Sequence, residues 1–307
     1  MLNHYEGKIS VIKYYNFKLT NYIGEVVSNS LKIKTVVGVP VYNEEKHLPQ
    51  TLNSLIAQNV DDVSFIIADN CSTDRSWQII NDLCGDDKRF IIHQHDTNKG
   101  AYYNFKYTLD LLDSEYFMWL GAHDFISDGY LAGMVETLDS DTGLSMAFGI
   151  PNKILDDLDE GRFRDAIHKF PEQRLERYLQ ATKKITYCAM YHSLFRKKLI
   201  SDFDFKMTFG SDFVMICHLL WFGNIRYVEG HKYSARFFSN RTGTEIERVT
   251  GNDDLYLSRH DFIKYQLDTF DRLYRGDTRM KTYIHNDIIN SLQGKWGIQS
   301  LILDDGR

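Results

Sequence analysis

The sequence predicts an α/β protein: a mostly parallel central sheet with helices on both faces, and further helices at the C-terminal end. Three observations carry that prediction. Between residues 35 and 149, short apolar, β-rich runs alternate with stretches whose apolar residues recur at helical spacing. That rhythm belongs to parallel strands joined by crossover helices. Four of the strand-like runs end in polar clusters, as strands do when their tips face a ligand. Two long amphipathic patterns lie near the end, at 254–274 and 282–292.

The elements follow in order. TVVGVPV (35–41) is β-branched and reads as a buried strand. Residues 43–58 place Leu48, Leu52, Leu55 and Ile56 on one helical face, with Pro49 in the first turn, where a missing N–H costs little. VSFIIAD (63–69) is a second strand, and STDRSWQIINDL (72–83) opens with cap residues before a helix. RFIIHQ (89–94) and EYFMWL (115–120) are strands three and four, with a helix at 100–112 between them. A helix at 128–139 and a strand at 144–149 complete the regular part. Residues 152–182 are charged and read as a solvated insertion carrying one helix, with part of an acceptor site as the alternative. ITYCAMYHSLF (185–195) reads as a strand, 211–222 as a helix, and 225–238 as one or two strands.

Composition narrows the function. The 307 residues are 43% hydrophobic and 25% charged, an ordinary globular balance. A formal net charge of −6 argues against a nucleic-acid partner in the absence of a local basic stripe. Aromatic content is 14%, enough to fill a core and still lay a flat face under a base or sugar. Cys71, Cys84, Cys188 and Cys217 form no CxxC pair, so a reduced, cytoplasmic chain is expected. The start lacks the regions of a signal peptide, and no apolar run approaches the ~20 residues of a membrane span.

Parallel strands bring four clusters to one sheet edge: PVYNEE (40–45), ADNCSTD (68–74), NKGAYYN (98–104) and GAHD (121–124). Each alone is an ordinary turn or cap. Pro-x-Tyr-Asn-Glu, Asp-Asn-x-Ser-x-Asp, Asn-x-Gly and an acid-ended strand, in that order, resemble glycosyltransferase family 2. Those are inverting nucleotide-sugar transferases of GT-A fold. The resemblance is firm over about 35–130, weaker to about 245, and absent at both ends. It implies an N-terminal arm (1–34) and a transferase domain (35–245) with a nucleotide-binding half (35–130) and an acceptor half (131–245). A C-terminal helical extension (246–307) follows. The arm is basic and aromatic, suited to covering the domain, touching a partner or lying on a membrane.

The resemblance assigns residues as follows. Pro40, Tyr42 and Glu44 fall in the first nucleotide loop, and Asp69 accepts a hydrogen bond from the base. Asn98 and Gly100 pass near the nucleotide. The family's Leu-Asp-x-Asp-Asp is here Leu120-Gly121-Ala122-His123-Asp124. Asp124 keeps the last acid and faces a divalent cation, whose other ligands are diphosphate oxygens and water. His123 replaces an acid, and its softer nitrogen favours Mn²⁺ over Mg²⁺. Asp212 matches the catalytic base, with Ser211 in place of the acid before it. Arg236, ahead of His231 and Arg241, is the candidate for closing over the diphosphate.

The implied donor is a nucleoside-diphosphate sugar, UDP- or dTDP-linked because Asp69 suits an imide N–H. The acceptor is a saccharide or a lipid-linked saccharide, in bacterial surface polysaccharide or glycolipid synthesis at the inner membrane face. Homodimer pairing through the C-terminal helices is the alternative to their packing on the domain. Two rivals stand beside this reading. A nucleotidyltransferase needs a glycine-rich basic loop after strand one, where this chain has PVYNEEKHL. A degenerate, non-catalytic binding module draws its support from Gly121 and His123.

Overall fold

The computed structural model describes residues 33–206, 208, 210–239 and 259–296. These form nine strands in one sheet and eight α-helices. The strands are β1 (Ile33–Val41), β2 (Val63–Asp69), β3 (Phe90–Gln94), β4 (Ser114–Trp119), β5 (Phe125–Ile126), β6 (Leu144–Leu155), β7 (Leu158–Arg162), β8 (Leu194–Arg196) and β9 (Asn224–Phe237). The helices are α1 (Leu48–Ile56), α2 (Ser76–Cys84), α3 (Ala101–Asp110), α4 (Tyr130–Ser140), α5 (Arg174–Lys184), α6 (Ser211–Phe222), α7 (Arg259–Leu273) and α8 (Thr278–Trp296).

The sheet order is β3-β2-β1-β4-β8-β6-β9-β5, with β7 paired to β6. β3, β2, β1 and β4 are mutually parallel, and β6 and β9 run the same way beyond the antiparallel β8. The expected mostly parallel sheet is therefore present, interrupted by the short reversed strand β8, with β5 and β7 also reversed beside β9 and β6. Register places Val41 opposite Asp69 and Asp69 opposite Gln94, so three strand tips end level. The amide of Leu120 continues β4 by donating to Gly38 at 3.0 Å. β2 is buried along its whole length, as an interior parallel strand covered on both faces must be.

Helix α6 is apolar all round, and every residue from Phe213 to Trp221 is buried. Such a helix needs cover on every side. α5 supplies Tyr178, whose ring meets Trp221 at 5.7 Å, and α7 supplies Phe262 against Phe213 at 5.8 Å. α8 closes the layer through Ile284, Ile288 and Leu292, which join the same continuous core. The C-terminal helices thus pack onto the domain, the first of the two arrangements expected for them.

Four expectations need correction. Helix α1 starts at Leu48, not near Asn43. Asn43 sits in the left-handed region (φ 52°), and the amides of Asn43, Glu44 and Glu45 donate to side chains of Ser72, Ser76 and Asp74 at 2.9, 2.9 and 3.0 Å. Those long-range bonds hold the segment out of the helix. Helix α2 starts at Ser76, after the Ser72–Asp74 turn that makes them. The 152–182 stretch is more than a solvated insertion: β6 and β7 form a hairpin, and Asp157 at its tip reaches Lys46 at 2.7 Å and His47 at 3.0 Å. Residues 185–195 hold a 3-10 turn (Ala189–His192) and only the short β8, rather than one strand. The N-terminal arm, apart from the start of β1, lies outside the described residues, as does Arg241.

Candidate active site

The site forms where the tips of β1, β2 and β4 meet the start of α6. Asp124 is its fixed point. The residue is buried, and its Oδ2 accepts from the Tyr233 hydroxyl at 2.6 Å while Oδ1 accepts from the Arg236 amide at 2.8 Å. Strand β9 thus reaches across to hold the acid that ends the β4 segment. Gly121 is required here by space. A Cβ at this position would stand 2.6 Å from Asp124 Oδ2 and 3.1 Å from its Cγ. The expected family acid is absent because Asp124 folds back over the glycine.

His123 bridges two acids. Its Nδ1 lies 3.0 Å from Glu44 Oε1, and its Nε2 lies 3.9 Å from Asp124 Oδ1. Glu44 is thereby brought from the β1 loop to the β4 loop, as expected for a shared site. Arg236 also arrives, but turned inward. Its guanidinium donates to the His123 carbonyl, to the Gln50 side chain and, at 3.3 Å, to Asp157. Its side chain is only 7% exposed, so in this state it clamps the β4 loop rather than facing a diphosphate. His231 is elsewhere, against Gly133 and Tyr130.

Asp212 opens α6 behind Gly210, whose φ of 73° and contact with the Phe262 ring leave no room for a side chain. Its Oδ1 accepts from the Phe213 amide at 2.8 Å, and the Cys188 thiol donates to it. Burial raises its pKa above the ordinary aspartate value, against the lowering effect of those bonds and of His192. A carboxylate made more basic by burial is suited to accept a proton.

His192 links the two halves. Its Nδ1 lies 3.1 Å from the Trp119 carbonyl at the end of β4, and its ring stacks on Tyr233 at 5.3 Å. Burial lowers its pKa, while Asp124 and Asp212 both act in the opposite sense. It therefore lies within electrostatic reach of both carboxylates. The sequence reading missed His192 and Cys188 because 185–195 was taken as a strand. The signal was there: after Ile185 and Thr186 the run loses β-branching and carries Cys, Tyr and His.

The nucleotide-side residues are laced together. Asp69 is fully buried; it accepts from the Ser72 hydroxyl, the Ser72 amide at 3.1 Å and Gln94 Nε2 at 2.9 Å. Asn98 Oδ1 accepts from Asn70 at 2.7 Å and from the Gly100 amide at 2.9 Å. Pro40 lies within β1, and Tyr42, just past its tip, is 39% exposed. The structure thus gathers Glu44, His123, Asp124 and Arg236 in one cluster, and Asp212 lies at the start of α6. Asp69, Asn98 and Gly100 sit in the adjoining loops. Among the described residues, no three His, Cys, Asp or Glu side chains are placed to hold a metal ion together. Asp124 and His123 offer two donors at most, so a cation here needs oxygens from a ligand as well.

Together, the sheet order and the level strand tips define a GT-A fold. The model for glycosyl transferase family 2 matches residues 36–203, more than half of the chain, and the protein belongs to that family. The matched segment holds Asp124 and His192; Asp212 lies just beyond it.

An uncharacterized glycosyltransferase of Haemophilus influenzae is 33% identical over 93 residues, covering 30% of this chain and 37% of that one. The teichoic acid poly(glycerol phosphate) polymerase of Staphylococcus epidermidis is 28% identical over 112 residues, covering 36% and 16%. The matched part of the chain thus spans well under half the length of these relatives. Among solved structures, Staphylococcus aureus TarS residues 1–349 superpose with a TM-score of 0.63 at 17% identity, covering 88% of this chain and 76% of that one. The same TarS segment is also known in complex with UDP-GlcNAc.

Proposed function

We propose that the protein transfers a sugar from a nucleoside-diphosphate sugar to a hydroxyl acceptor with inversion, in the synthesis of a bacterial surface polysaccharide or glycolipid. The observation that carries this is the meeting of Glu44, His123, Asp124 and Arg236 at the end of β4 in a chain that belongs to glycosyl transferase family 2. Tyr42, just past the tip of β1, offers an exposed ring to the base, and Asp69, fully buried opposite Val41, would meet an imide N–H only once its surrounding loop opens. A UDP- or dTDP-sugar suits that pair, and the TarS complex with UDP-GlcNAc supports the same direction. The polymerase relative supports a cell-surface polymer as acceptor.

The acceptor hydroxyl attacks the anomeric carbon while Asp212 takes its proton. Its raised pKa makes that transfer easier. The bond to the diphosphate breaks on the opposite face, and negative charge grows on the departing oxygen. Arg236 would meet that charge once released from Asp157, Gln50 and the His123 carbonyl. A divalent cation, Mn²⁺ favoured over Mg²⁺, would be held by Asp124 with His123 beside it and would add positive charge at the diphosphate. Tyr233 and the Arg236 amide hold Asp124 in position, and ordered groups of this kind lower the barrier by orientation.

Among the described residues no helix is long and apolar enough to cross a membrane. A lipid-linked acceptor at the cytoplasmic face would then be reached by surface contact. The test is Asp212→Asn, which should abolish sugar transfer and leave nucleotide binding nearly intact. Near-normal turnover in the variant removes Asp212 from the role of base. Nucleotide binding without transfer by the unmutated protein would instead favour a binding module.

A further inference from the structure

A second cavity, of about 800 Å³, lies on the acceptor half, outside the cluster described above. Arg164, His168, Lys184 and Lys295 line it, with Tyr187 and a single carboxylate, Asp165. Arg164, Lys184 and Lys295 make a concentration of positive charge on a protein of net charge −6, while burial and the two lysines lower the His168 pKa and favour its neutral ring. Among the described residues no carboxylate is paired with Arg164 or Lys184, and both side chains are exposed. The Lys184 ammonium bonds only a neutral partner, Gln180 Oε1, at 2.6 Å. Lys295 is pinned in the wall by the carbonyls of Thr182 and Ile185 at 2.6 and 2.7 Å, which leaves one of its three N–H groups. His168 Nε2 is buried with no hydrogen-bond partner among the described residues. Unpaired cations and an orphaned nitrogen around one cavity are what an anion would complete.

Residues that line the cavity neighbour groups packed beside the base. Tyr187 lines it, and the next residue, Cys188, donates to Asp212. Consecutive Cα atoms are only ~3.8 Å apart. Lys295 also lies over the Phe213 ring at 4.9 Å, and Phe213 directly follows Asp212.

We propose that the cavity binds a phosphate group of the acceptor, so that the sugar is delivered to a hydroxyl next to a phosphodiester or a phospholipid headgroup. This rests on the transferase reading for the acceptor's chemistry, while the cavity itself stands on its own lining. Arg164 meets phosphate oxygens through two N–H groups, and Lys184 and Lys295 add point charges.

The test uses the full chain with two phosphate probes. One is a water-soluble, phosphodiester-linked glycerol phosphate oligomer, compared with a neutral polyol of the same length. The other is phosphatidylglycerol vesicles, compared with phosphatidylcholine vesicles. The chain should bind one phosphate probe over its neutral counterpart, and Arg164→Ala combined with Lys184→Ala should weaken that binding by about tenfold or more. Both side chains are exposed, so the double variant should keep its fold, and its thermal shift with UDP should match the unmutated chain. Oligomer binding lost in the variant identifies a phosphodiester acceptor; vesicle binding lost in the variant identifies a headgroup. Equal binding by variant and unmutated chain, or no preference for phosphate over the neutral probes, overturns the proposal. Failure of every nucleotide sugar to react, with phosphate binding intact, would count against the transferase reading alone.

Discussion

Gly121→Ala is the smallest change that reaches the centre of the site. The new methyl group would lie 2.6 Å from Asp124 Oδ2, where ordinary contact needs about 3.5 Å. The carboxylate must retreat by nearly an ångström. It is not free to do so, because the Tyr233 hydroxyl at 2.6 Å and the Arg236 amide at 2.8 Å hold its two oxygens. Tyr233 has no surface exposure, so breaking its bond leaves a phenol without a partner. Stranding one such group costs about 1–3 kcal/mol. In a domain of this size that lowers the melting temperature by roughly 2–10 °C. A misplacement of this order in an active site lowers turnover about 100-fold. Thermal denaturation and donor cleavage, measured on the same preparation, check both numbers. Unchanged stability together with unchanged turnover would show that Asp124 is not held as described. Gly121→Asp, which restores the family's acid, should be worse still.

Other predictions follow from the charges in the crevice. Asp212 must be ionised to act as base, so the acid limb of kcat/KM should fall above the ordinary aspartate range; full activity down to pH 4 contradicts this. The same raised pKa bears on stability. Protonated Asp212 favours the folded state, and that contribution is present below the unfolded pKa and lost as pH rises through the folded one. Asp212→Asn should therefore raise the melting temperature at neutral pH while abolishing transfer, and a lower melting temperature at pH 7 goes against it. In a metal-dependence assay, Mn²⁺ should sustain more activity than Mg²⁺, and the reverse order removes His123 from the cation's surroundings.

Much of the nucleotide half was legible because its strands are decided locally. TVVGVPV and VSFIIAD are apolar but for Thr35, Ser64 and Asp69, and a strand covered on both faces accepts such runs. The polar tips after β1, β2 and β4 follow from those strand ends. What the sequence hid depends on distant partners. Helix α1 loses its expected first turn to bonds from Ser72, Asp74 and Ser76. β5 is two residues long and exists through its pairing with Tyr233 and Ser234 of β9. Arg236 was expected to face the diphosphate, yet Gln50, Asp157 and the His123 carbonyl occupy its guanidinium. No local pattern announces a side chain's choice among distant acceptors. His192 is hidden for a different reason: its segment reads as a strand, when it is a tight turn that sets the ring against the Trp119 carbonyl and Tyr233.

The most direct measurement is the stereochemistry of sugar release. An α-linked UDP- or dTDP-sugar, incubated with the protein and followed by proton NMR, should be cleaved with the β anomer appearing first. A single displacement with Asp212 as base permits no other order. First appearance of the α anomer, or no cleavage of any donor in a broad panel, would contradict the account.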